Sequence, residues 1–285
     1  MVQKTTRKIT WWQRLLIILC AVLLFAGTVL GVLQLGVVYT EKHWDYFTPD
    51  YEKVNILPFL EKKERTEEDY RVLYEQTGLT KLGIDGLIKR KDIPQILRIQ
   101  EYFFSNPPLK VSHFAPFTYL EEVDGVAPLA VLEDGDIIVS ATTRVSWWRY
   151  GHATLVINGV DKIILEASEP KSNSHYTYAN TMANLNNFLI LRPKVDEAVK
   201  AEVVKFACDN LYNIPYSLTT GIFSKKYNPN EIKGTQCAHL VWYAYKKFGV
   251  DLDSDGGLII KPRDMARSEK VEIVQAFGFD LKELW

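Results

Sequence analysis

From Leu15 to Leu33 the chain runs through apolar and small residues without a break, and Gln34 is the only larger polar side chain before Tyr39. At about 1.5 Å per helical residue, roughly 20 residues cross a bilayer core of about 30 Å, so residues 1–39 are predicted to hold a short tail and one transmembrane helix. A cleaved signal peptide has an apolar region of only about 7–15 residues that ends at a small-x-small site. This run is longer and no Ala-x-Ala follows it, which favours an uncleaved anchor. Cys20 follows bulky Leu19 inside the run and does not read as a lipidation site.

The pattern changes over residues 40–129, which read as mostly helical and charged. Thr66-Glu-Glu-Asp opens one helix with a capping-box pattern, and Tyr70, Leu73, Tyr74 and Leu79 continue its apolar face. A second helix is expected over 93–104, stopping before Asn106-Pro-Pro. This segment is expected to be a stalk or a covering subdomain. From 130 the pattern turns to strands: 137–140, a hairpin of 152–158 and 162–167 around Asn158-Gly-Val-Asp, then 188–192 and 272–277. Helices are expected over 194–211 and 236–248, the second closing at Gly249. Residues 130–285 are therefore predicted to form an α+β domain, a small antiparallel sheet with a helix packed on it.

Charge limits the partners. The 34 basic and 35 acidic side chains leave a net charge of −1, and no basic stripe interleaved with aromatics occurs, so no nucleic-acid partner is expected. Lys4, Arg7, Lys8 and Arg14 precede the apolar run without an acid among them, whereas Lys42 and Lys53 beyond it mix with Glu41, Asp45, Asp50 and Glu52. The positive-inside rule then puts the N-terminus in the cytoplasm and the rest of the chain on the other side of a cell membrane, crossed once. Trp11, Trp12, Tyr39 and Trp44 suit the two interfacial belts.

Candidate chemistry centres on Cys237, which lies in Gly234-Thr-Gln-Cys-Ala-His-Leu-Val-Trp-Tyr-Ala-Tyr, where a turn enters an amphipathic helix. A thiol attacks as its thiolate, and a helix N-terminus favours that anion. Arg149-Tyr-Gly-His152 opens the first hairpin strand. If the apolar faces Ala153/Leu155/Ile157 and Ile163/Leu165/Ala167 pair, the same parity brings His152 and Glu166 to one face, because a one-residue slip would turn one set over. With a three-residue loop the two become direct cross-strand neighbours, their Cβ atoms about 5 Å apart. A carboxylate there orients the imidazole while the other ring nitrogen serves the thiol. His239 lies on the wrong side of its helix for Cys237, His175 in a loop is the reserve base, and no chemistry is expected of His43 or His113.

Gly-Asp-Ile-Ile, Gly-His-Ala-Thr-Leu-Val, Leu-Glu-Ala and Gln-Cys-Ala-His-Leu-Val-Trp-Tyr-Ala-Tyr resemble the YiiX/YebB-like family, a circularly permuted branch of the NlpC-type, papain-like cysteine hydrolases. The resemblance covers residues 130–285. It implies a permuted papain-like fold with nucleophile Cys237, base His152 and orienting residue Glu166, and no cofactor. Asn213-Ile-Pro-Tyr-Ser-Leu is similar to the loop before the nucleophile in NlpC-type enzymes, which puts Tyr216 in the cleft. An oxyanion would be held by the Cys237 N–H, with Gln236 or Tyr216 as a side-chain donor. Ser146-Trp-Trp-Arg-Tyr, with Trp148, reads either as an aromatic and cationic rim or as ordinary hairpin packing.

The expected activity is cleavage of an amide through an acyl-enzyme, with peptidoglycan peptide as substrate. Two rivals stand beside it: acyl hydrolysis or transfer on a lipid-linked substrate, and a non-catalytic membrane-bound binding module closed by a Cys208–Cys237 disulfide. Against the disulfide, Ala201, Val204, Cys208 and Leu211 are expected to form one buried stripe. Asp251-Leu-Asp-Ser-Asp-Gly-Gly matches the start of a calcium loop, but Pro262 stands where the bidentate glutamate belongs, so a structural turn and no metal are expected.

Overall fold

The computed structural model describes residues 10–42, 47–115, 118–146 and 148–282; Lys4, Arg7, Lys8, His43, Trp44 and Asp45 of the reading above, and Trp147 of the rim, lie outside them. In chain order the elements are α1 (Trp11–Lys42), α2 (Leu57–Leu60), α3 (Glu67–Thr77), α4 (Lys81–Lys89), α5 (Ile93–Phe103), β1 (Leu109–Ala115), β2 (Thr118–Val123), β3 (Ile137–Ser140), β4 (Thr143–Val145), β5 (Trp148–Arg149), β6 (His152–Asn158), β7 (Ile163–Glu166), β8 (His175–Tyr178), α6 (Asn180–Ala183), β9 (Phe188–Pro193), α7 (Glu197–Asn210), α8 (Cys237–Lys246), α9 (Pro262–Ala266) and β10 (Val271–Phe277). This is a mixed α+β architecture. Its strands form an antiparallel six-stranded sheet, β10-β9-β3-β6-β7-β8, and an antiparallel four-stranded sheet, β1-β2-β4-β5.

The larger sheet is covered on both faces, which is why its strands read as nearly continuous apolar runs. Val139, Leu155, Leu165 and Leu191 face one core with Val203 and Ala207 of α7, Leu240 and Ala244 of α8 and Met265 of α9. Alternate residues Ile138, Val156, Ile164 and Ile190 face the other core with Leu73, Ile84 and Ile96 from α3, α4 and α5. The helices of residues 57–103 therefore form a covering layer on the sheet and not a stalk. Thr66 caps α3 as its sequence predicts: its hydroxyl accepts from the Asp69 N–H, and the Asp69 carboxylate accepts from the Thr66 N–H.

Three expectations are corrected. The segment before residue 130 is not mostly helical to its end, because β1 and β2 form a hairpin that carries the second sheet. On α7 the buried residues are Lys200, Val203 and Ala207, each one position before the expected Ala201, Val204 and Cys208, of which Cys208 is only half-buried, while Leu211 after the helix is buried as expected. Lys200 accounts for the shift: its ammonium bonds Glu133 and Glu197 at 3.1 and 2.7 Å, so its aliphatic stem can lie in the core. Arg149 offers no cationic rim. Its guanidinium is turned onto fully buried Glu121 at 2.8 Å, beside Arg144 and Asn186 on the same carboxylate.

α1 is long and apolar enough to cross a membrane over Trp11–Tyr39. Most of it is exposed; Gly36 and Val37 are buried, Leu33 is half-buried, and the Ser146 hydroxyl donates to the Leu33 carbonyl at 3.0 Å.

The covering layer is locked to the sheet at Gly78. Its φ is +69°, its N–H bonds Tyr74 O, its carbonyl accepts from the Ala276 N–H of β10, and an added Cβ would stand 2.0 Å from Ala276 O. Gly78→Ala is expected to destabilise the chain by more than about 2 kcal/mol in denaturant unfolding, whereas Gly256→Ala, with the same backbone sign but open space, costs about 1 kcal/mol. Equal losses at the two sites would show that the close approach is not a constraint.

Candidate active site

Cys237 is the first residue of α8, and Gln236 before it has extended backbone, φ −123° and ψ 170°, without a side-chain cap. The first N–H groups of the helix are thus free of a capping side chain beside a buried thiol. The helix sits there because Leu240, Val241 and Ala244 bury against the sheet, and because the turn before it is stitched to the 213–217 loop. Thr235 N–H bonds Pro215 O at 3.0 Å and Ser217 N–H bonds Thr235 O at 2.7 Å. These bonds fix Tyr216 next to Cys237.

His152 opens β6 at the end of the sheet. The chain reaches it through Gly151, whose φ of +76° suits glycine, while the N–H groups of Tyr150 and Gly151 both bond Thr143 O at 3.0 Å. The His152 Nε2 lies 2.7 Å from Glu166 Oε2, and the imidazole lines the same cavity as Cys237, close enough for the two to interact. Since Nε2 is taken by Glu166, Nδ1 is left for the sulfur. Burial by itself lowers the imidazole pKa. The hydrogen bonds to Cys237 and Glu166, with the charges of both, outweigh it and push the value up to about 10. Burial raises the Glu166 carboxyl, but its bond to His152 and the charges of His152 and His175 carry it below the usual carboxylate range. Both directions describe one ion pair.

The expected parity holds and the expected direct pairing does not. Leu155 faces Leu165 and Val156 faces Ile164, with a bulge between Val156 and Asn158. That register sets Thr154 across from Glu166 and leaves His152 a diagonal neighbour on the same face. The connection over 159–162 has four residues and a bulge follows it, and together they keep the parity while setting the register two residues from the expected one. A diagonal gap of about 7–8 Å is within reach of a long carboxylate side chain.

His175 is on strand β8 and not in a loop. It pairs with Glu166, and its Nε2 lies 3.4 Å from Glu166 Oε1, on the opposite side of the carboxylate from His152. His239 is structural: Thr235 Oγ1 and Lys226 O hold its two nitrogens at 2.9 and 2.7 Å, and burial lowers its pKa to about 4. His113 packs on Tyr119 in the second sheet.

A cavity of about 310 Å³ opens onto Cys237, His152 and Glu166. Tyr216 lines it, as expected, and so does Tyr150. Burial and the nearby Cys237 raise the pKa of both phenols, so both stay neutral donors. Trp148 is not in the lining; it is exposed, its ring 6.0 Å from that of Tyr150. The Gln236 amide nitrogen, one position before Cys237, is buried without a hydrogen-bond partner among the described residues, and Gln236 is not in the lining. The rest of the lining includes Leu120, Met182 and Leu185, which no sequence motif marks. Tyr150 was legible as the residue two before His152.

Cys208 and Cys237 are both free, on α7 and α8. Asp253, Asp255 and Asp264 bring carboxylate oxygens within 4.8 Å of one another, and Lys226 and Lys261 supply their countercharge.

The arrangement is that of a thiol, an imidazole and a carboxylate in series at a helix head, on a mixed α+β fold with antiparallel sheets and one N-terminal apolar helix. In sequence the chain is 26% identical to the uncharacterized protein YycO of Bacillus subtilis (strain 168) over 145 residues, 50% of this chain and 56% of that one. The chain thus spans about half the length of the curated relative it matches. No family model and no solved structure matches it.

Because the His152 pKa lies near 10 in the folded chain and near 6.5 in an unfolded one, the stability it contributes is complete below about pH 6.5 and is lost as the pH rises to about 10. The gap in Tm between the wild type and Glu166→Gln is expected to close over that range. A gap that stays constant with pH would show that no imidazolium is held there.

Proposed function

We propose that the chain is a membrane-anchored cysteine hydrolase that works through an acyl-enzyme on Cys237, with a circularly permuted papain-like domain facing away from the cytoplasm. The His152–Glu166 pair beside Cys237, all three lining one cavity, carries this reading. Chain order supports the permuted fold, since the strands bearing histidine and glutamate precede the cysteine helix.

In the forward step the proton of the Cys237–His152 pair rests on the imidazole and the sulfur adds to a carbonyl carbon. The resulting oxyanion is met by the Cys237 N–H at the start of α8. Glu166 on Nε2 holds the ring and stabilises the imidazolium, which then gives its proton to the departing amine or alcohol. The thioester left on Cys237 is hydrolysed by water, with His152 again as base. Metal chemistry plays no part in this scheme.

The amide of a cell-wall peptide remains the first substrate reading, on the resemblance and on the side of the membrane that flanking charge favours. The lipid-linked acyl reading has an observation of its own. Leu120, Met182 and Leu185 give the cavity an apolar wall, and among the described lining residues the side chains that carry charge are His152, Glu166 and Glu169, with no lysine or arginine to meet a peptide carboxylate.

Cys237→Ser and His152→Ala are each expected to abolish turnover and labelling by a thiol-directed probe, with the fold intact by circular dichroism. Cys208→Ser should keep both, since Cys208 lies outside the site. Glu166→Gln should lower turnover at least about tenfold, roughly 1.4 kcal/mol of barrier, while Cys237 stays open to a strong alkylating agent. Mass analysis of cell-wall digests and lipid extracts treated with the wild type and with Cys237→Ser separates the two substrate readings. Turnover by Cys237→Ser at the wild-type rate would end the enzyme reading.

A further inference from the structure

We infer that the β4–β5 hairpin rests against the bilayer interface beside α1, with Trp148 as its interfacial side chain, so that the catalytic cavity opens at headgroup depth. The inference rests on α1 spanning the membrane and on none of the catalytic steps.

The helix sets the scale. The run from Leu15 to Leu33 is about 28 Å long at about 1.5 Å per residue, close to the thickness of a hydrocarbon core of about 30 Å. The core therefore ends near Leu33, and at that level the folded domain touches the helix. The Ser146 hydroxyl, in the turn between β4 and β5, donates to the Leu33 carbonyl at 3.0 Å. One turn on, Gly36 and Val37 are buried, and Leu33, Gly36 and Val37 at spacing i, i+3, i+4 make one face of α1. Leu30, Leu35 and Val38 around that face stay exposed and belong to lipid if α1 spans. A surface docked at Leu33 has the bilayer boundary as its neighbour.

The hairpin carries the side chain such a boundary selects. Trp148, two residues after Ser146, is 61% exposed, and a tryptophan puts its apolar body and its N–H into the two halves of the interface. The same residue leads to the site: its ring lies 6.0 Å from that of Tyr150, and Tyr150 lines the cavity with Cys237. Ser146, Trp148 and Tyr150 thus link the end of the membrane helix to the nucleophile, and a substrate whose carbonyl sits among the headgroups reaches Cys237 without leaving its membrane.

The test uses the full chain and its Trp148→Phe variant, reconstituted in phosphatidylcholine vesicles with plain or brominated acyl chains. The change is at an exposed ring, and the difference in emission between the two proteins isolates Trp148 from the other tryptophans. Bromine near the top of the acyl chain is expected to remove most of that difference emission, while iodide in the buffer removes little. Retention through an alkaline wash reports separately on whether α1 spans. A retained protein whose Trp148 is quenched by iodide and not by bromine overturns the placement and leaves the anchor standing. A retained protein quenched by neither has its hairpin covered by a second copy, which also overturns the placement. A protein washed off the vesicles overturns the anchor and the placement together.

Discussion

The bond between His152 Nε2 and Glu166 is the contact on which the rest of the site depends. Both groups are largely out of water, where an unpaired charge is expensive and an unpaired polar atom costs about 1–3 kcal/mol. Paired, they fix one imidazole nitrogen and so decide which of the two faces the thiol. His175 on the far side of the carboxylate adds a second interaction of the same sign and holds Glu166 in place from β8. The surroundings of Cys237 are then a consequence of strand order: β6, β7 and β8 bring histidine, glutamate and histidine into one row at the end of the sheet.

That row can stay polar because the rest of the sheet is not. With α7–α9 on one face and α2–α5 on the other, the middle of every central strand is packed, and openings are left only where strands begin or end. The N-terminus of α8 is at such an end, next to the first residue of β6. Burying α8 along its length against β6 sets where the sulfur sits relative to the imidazole more tightly than any loop would. Regular elements hold Cys237, His152 and Glu166, and the Tyr216 loop, stitched to Thr235, brings an irregular segment to the site.

Much of this was legible because side-chain parity in a strand is a strict two-residue rule. The apolar positions of 152–158 and 163–166 could pair in only one parity, which put His152 and Glu166 together before any geometry was known. Register is a weaker signal. It hung on the turn and on a bulge at Val156/Asn158 that no residue announces, and the two together set it two residues from the expected pairing. The α7 stripe was misread for a different reason: a lysine does not score as a core residue until its ammonium has partners, and Glu133 is distant in sequence. The second sheet hid in a charged stretch, since β1 and β2 carry Lys110, Glu121 and Glu122, and the partners that make Glu121 tolerable come from β4, β5 and the loop before β9. Elements stabilised by distant charges cannot be read from local hydrophobic pattern.

The Glu121 cluster also shapes what the cavity can accept. Arg144 and Arg149 are the cations closest in sequence to Tyr150 and His152, and both guanidiniums are committed to one fully buried carboxylate. Freeing either would strand Glu121 in the interior, a loss of several kcal/mol, so neither is available to a ligand. A substrate carboxylate would therefore enter a cavity with Glu166 and Glu169 in its wall and only the already paired His152 to oppose them. A neutral acyl group meets no such opposition and gains contact with Leu120, Met182 and Leu185. The interactions that assemble the second sheet thus act on the cavity as well, by withholding positive charge from its wall.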